Sequence, residues 1–79
     1  MNLIGIALKA SVVQQEINKK GYLLSPHINQ SIHGISVCFF VQKAGSTGVD
    51  NMEMFDTTFR GDLDTVLKEI LDYVNEQTK

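Results

Sequence analysis

The chain has 79 residues, a formal net charge of −2, 43% hydrophobic and 20% charged residues, and one cysteine. This is ordinary composition for a single small domain spanning residues 1–79; it excludes a disordered chain, an internal disulfide framework and the strongly basic footprint of a nucleic-acid binder. A chain this short buries only about 60% of its unfolded surface, so burial against a partner, most simply a second copy, is expected.

Leu3-Ile4-Gly5-Ile6-Ala7-Leu8 has the apolarity of a signal segment. No positive charge precedes it, however, and Lys9 cuts it short, so it reads as part of a helix. It is also far below the ~20 residues that span a bilayer. With a lone thiol, the expected setting is the cytoplasm, and the size and build suit a bacterial or phage protein.

Residues 3–20 predict the first helix, with Leu3, Ile6, Ala10, Val13 and Ile17 on one stripe. Lys19 and Lys20 suit its negative end and Gly21 its stop. Tyr22-Leu23-Leu24 predicts a short strand that Ser25-Pro26 bends, because proline donates no ladder hydrogen bond. His27 to Ser31 then reads as an exposed connection. Ile35-Ser36-Val37-Cys38-Phe39-Phe40-Val41 is the central strand, the one unbroken run of β-branched and aromatic residues. Ile35, Val37, Phe39 and Val41 share one face; Ser36, Cys38, Phe40 and Gln42 share the other.

Gly45 to Asn51 is turn chemistry, and Met52 to Phe59 predicts a third strand with Phe55 and Phe59 opposite Met52, Met54 and Asp56. Leu63, Val66, Leu67, Ile70, Leu71 and Val74 form the stripe of a last helix, which Asp62 caps and Asp64 supports; residues 75–79 are expected to fray. The fold class is α+β, in the order α-β-β-β-α: a three-stranded antiparallel sheet with two helices packed on one face. The other face would then carry Ser36, Cys38 and Phe40, with Met52 and Met54 if the third strand has the matching register.

Charge divides along the chain. Lysines dominate residues 1–49, and Asp and Glu dominate residues 50–79. Such blocks usually mark solvated faces.

The motifs that could carry chemistry are sparse. Cys38 with His27 and His33 could support a nucleophile, but Cys38 sits among large apolar neighbours where a thiol behaves as a small hydrophobe. The spacing of the three is too open, and a fourth ligand is missing, for zinc. Residues 44–48 lack the lysine and following helix of a phosphate loop. Asp62 and Asp64 are accounted for as helix-start residues, and Glu53 and Asp56 alone make no site. No catalytic residue, metal or cofactor is therefore assigned.

Lys19-Lys20-Gly21-Tyr22, Ser25-Pro26-His27 and His33, within the α-β-β-β-α order, resemble in topology the double-stranded RNA-binding domain and the HicA-type toxin ribonucleases. That resemblance implies RNA binding or cleavage through Lys19, Lys20, His27 and His33. Against it, the last helix opens with Gly61-Asp62-Leu63-Asp64, where the RNA-binding domain has lysines. The favoured expectation is a non-enzymatic interaction module, a homodimer or a binder of another protein, using Phe40, Met52, Met54 and Cys38, without a nucleic-acid or membrane partner.

Overall fold

The computed structural model describes residues 3–45 and 52–79, apart from the side chains of Phe59 and Arg60. Helix α1 spans Leu3–Asn18, followed by strands β1 (Tyr22–Ser31), β2 (Gly34–Lys43) and β3 (Met52–Asp56), a single turn α2 (Thr57–Arg60), and helix α3 (Leu63–Gln77). The strands form one antiparallel sheet in the order β1-β2-β3. This is the expected α-β-β-β-α arrangement, with α1 over β1 and α3 over β3 on one face of the sheet.

Gly21 closes α1 at φ 83°, a conformation a side chain resists, and turns the chain into β1. The two long helices run side by side in the same direction. Lys9 Nζ donates to Asp64 Oδ1 at 2.8 Å, and eleven residues further along each segment Lys20, just past the end of α1, donates to Asn75 of α3. Ile6, Ala10, Val13 and Ile17 face inward from α1; Leu63, Val66, Leu67, Ile70 and Val74 do so from α3. They meet Leu24, Val37, Phe39, Val41 and Phe55 from the sheet. Among the described residues no helix is long and apolar enough to cross a membrane.

Several boundaries differ from the sequence reading, each for a local reason. Leu3 lies outside the buried stripe of α1, half-exposed at the first turn. β1 does not stop at Pro26. It runs through it in register with β2, pairing Pro26 with Phe39 and continuing to Ser31 opposite Gly34. β1 is an edge strand, and there a proline can turn its missing N–H outward without removing a ladder bond. Ile32 and His33 make the turn to β2, and Gly34 follows at φ 118°.

β3 ends at Asp56 rather than Phe59. The Asp56 carboxylate accepts from the Thr58 backbone N–H at 2.7 Å and caps α2, while Thr57 Oγ1 accepts the Val37 N–H at 3.0 Å. The side-chain oxygen thus stands in for the strand carbonyl that the ladder would have used next. Asp62 caps α3 as expected, accepting from Thr65 N–H at 2.8 Å. α3 continues to Gln77 instead of fraying at residue 75, and the Thr78 hydroxyl donates to the Val74 carbonyl. The turn read at residues 45–51 lies, beyond Gly45, outside the described residues.

Candidate protein-interaction face

The strand register decides what the uncovered face of the sheet presents. Leu23, Gln42 and Met52 stand in one cross-strand row, Ser25, Phe40 and Met54 in the next, and His27, Cys38 and Asp56 in a third. Side chains alternate across the sheet, so these rows all point away from the helices. Phe40, Met52, Met54 and Cys38, the residues expected on the open side, are brought together there.

Leu23 joins them and was not singled out from the sequence. Within Tyr22-Leu23-Leu24 every residue is apolar, so no alternation reveals which one faces out. The pairing of Leu23 with Gln42 settles it. Leu23 is 48% exposed, Met54 47% and Met52 37%, with Phe40 half-buried between the two outer strands. Two adjacent rows thus carry four large apolar side chains, more than the scattered apolar surface typical of a monomer.

Phe40 is supported on one flank by His27, whose ring meets it edge-on at 5.1 Å and 86°. His27 and Asp56 flank Cys38 across the strands, which at first resembles a nucleophile constellation. The electrostatics run the other way. Partial burial, and then the negative charge of Asp56, push the Cys38 thiol above its ordinary pKa. A nucleophilic cysteine needs positive surroundings that hold the thiolate, and this row favours the neutral thiol. Among the described residues no group of three or more His, Cys, Asp or Glu could hold a metal ion.

The basic residues offered for RNA are not gathered on one surface. Lys19 pairs with Glu16 at 3.3 Å and Lys20 with Asn75, both before β1 begins. His33 occupies the turn beyond the other end of that strand, whose ten residues span roughly 33 Å. His27 lies between, on the open sheet face. Comparison of the chain with protein-family models, with curated proteins and with solved structures finds no match.

Proposed function

We propose that the chain is a non-enzymatic interaction module that pairs with a second copy of itself through the open sheet face. The observation that carries this is the patch of Leu23, Phe40, Met52 and Met54 on two adjacent rows, facing away from both helices. A self-pairing face must tolerate its own image. Apart from Asp56 at one margin, these rows carry no carboxylate, lysine or arginine, so two copies meet without opposing like charges. Methionine adapts to an irregular facing surface, an aromatic ring gives a contact its anchor, and Ser25 on the edge strand and Gln42 between Leu23 and Met52 supply polar groups. The setting we propose is the reducing cytoplasm, in keeping with the free thiol of Cys38.

Light scattering over a dilution series tests the proposal. The wild type should reach a mass of at least twice 8.8 kDa at high concentration, and Phe40→Lys should stay folded by circular dichroism and run at a lower mass, the sheet-face contact being lost. A wild type that is monomeric throughout, or a Phe40→Lys variant that associates like wild type, overturns it. An RNA ligand is the alternative, and it predicts affinity that falls steeply with salt. Failure to bind a duplex RNA at low salt removes that alternative.

A further inference from the structure

α1 carries more apolar surface than its packing uses. Ile6, Ala10, Val13 and Ile17 are buried, and Lys9 reaches sideways to Asp64. On the opposite side of the helix stand Ile4, Leu8 and Val12, which are 75%, 65% and 63% exposed. Their spacing of four places them in one ridge along the outer surface, which Glu16 ends one turn further on, and the exposed Ala7, Ser11 and Gln15 beside it add no charge.

α3 shows what a water-facing ridge looks like in this same chain. Its exposed row at the same spacing is Asp64, Lys68, Asp72 and Glu76, charged at every position. A helix apolar on two opposite sides has the pattern of one enclosed on both.

We infer that the Ile4-Leu8-Val12 ridge is a second self-association surface, which seats α1 of another copy in an antiparallel pair. From Ile4 to Val12 the ridge carries no charge, and in an antiparallel pair centred on Leu8 the Glu16 of each copy lies beyond the contact, so a like face can meet it without repulsion while a strongly charged partner gains nothing from it. A row at spacing four is also the ridge that interdigitates with its own kind in the commonest helix packing, at about −50°. A two-fold axis at Leu8 sets Ile4 of each copy against Val12 of the other. Three exposed side chains from each copy bury less than the about 1,200 Å² at which standard specific interfaces begin, which fits a weak, concentration-dependent pair rather than an obligate one.

The inference does not rest on the sheet-face proposal. α1 covers one face of the sheet and its ridge points away from it, so the ridge and the open sheet face lie on opposite sides of the molecule. Both contacts can form at once, and together they build assemblies larger than a dimer.

The test is light scattering over a dilution series on wild type, Leu8→Glu, Phe40→Lys and the double variant, with circular dichroism to establish folding. Val12→Lys serves as an independent second ridge variant. The inference expects the wild type to exceed twice 8.8 kDa at high concentration, either ridge substitution to bring it down to the sheet-face dimer, one isologous contact being lost, and the double variant to be monomeric. If ridge variants follow the wild-type curve while Phe40→Lys dissociates, the inference is overturned and the sheet pair stands. If ridge variants dissociate while Phe40→Lys does not, the inference stands and the sheet pair falls. Vesicles of phosphatidylcholine and phosphatidylglycerol provide the remaining arm. A monomeric wild type that sediments with them, when Leu8→Glu does not, assigns the ridge to a lipid surface and overturns the second copy.

Discussion

Phe39 is fully buried between sheet and helices, while Phe40, one residue on, faces away from them and touches the edge of His27. The same substitution therefore has different consequences at the two positions. Phe39→Ala empties a packed core and should cost about 3–5 kcal/mol, a large share of what a chain this size possesses, about 4–12 kcal/mol. Urea unfolding followed by circular dichroism should show it, and a midpoint close to wild type would contradict the packing described here. Asp62 is a case governed by pH. Its carboxylate is held below the ordinary range first by the Thr65 backbone N–H, next by the Thr65 hydroxyl, and then by the charge of Lys9. The folded pKa thus lies below the unfolded one, so the stabilisation is complete above about pH 4 and is lost as pH falls through the lowered value. Asp62→Ala should lower the urea midpoint at pH 7, and the gap from wild type should shrink by pH 3. An equal gap at both pH values would show that the cap works without its charge.

At the scale of elements, the junction between β3 and α2 is where a side chain takes over from the backbone. Thr57 Oγ1 accepts the N–H of Val37, a residue with no solvent exposure. Thr57→Val keeps the shape and strands that donor, which should cost about 1–3 kcal/mol, with a drop in Tm of about 4–8 °C for each kcal/mol. Thr57→Ser keeps the acceptor and should melt close to wild type; if both variants melt alike, the hydrogen bond is not what joins the two elements. This junction also shows why part of the fold was hidden in the sequence. Thr57-Thr58-Phe59 is rich in strand-forming types, and nothing in its pattern announces that Asp56 will cap a turn instead. Pro26 misled in a similar way, because its effect depends on whether its nitrogen faces a neighbouring strand or open water, and only the sheet order decides that. Strict periodicity was the readable part. The stripe of α3 and the alternation of β2 placed their buried sides correctly, and Phe40 and Cys38 followed onto the open face from parity alone, whereas Met52 and Met54 depended on the register of β3. Leu23 and the outer ridge of α1 were not legible, since an all-apolar triplet and a helix apolar on two sides carry no single-face signal.

The whole molecule exposes more surface than its mass requires. Its accessible area is 5299 Å², against about 4,800 Å² for a compact monomer of this mass. The radius of gyration is 12.3 Å, against about 11.6 Å for a folded chain of this length. The excess follows from the topology. β1 and β2 are ten residues each and β3 is five, so half of the hairpin extends past its third strand and the long axis reaches 39 Å. Within such a shape, the open sheet face and the α1 ridge add apolar surface that the fold leaves wet. If association covers that surface, folding and assembly share one equilibrium, and the melting temperature must rise with protein concentration. For a dimer of chains this size, each tenfold increase in concentration should raise Tm by about 4 °C. Differential scanning fluorimetry between low and high micromolar protein reads this directly. The wild type should show the slope. Phe40→Lys should lose the part of it that comes from the sheet face, and Leu8→Glu the part from the ridge. A wild-type Tm that stays flat over two decades of concentration would mean that both faces remain exposed to water, and that the core of Phe39, Ile17, Val66 and Ile70 alone stabilises the fold.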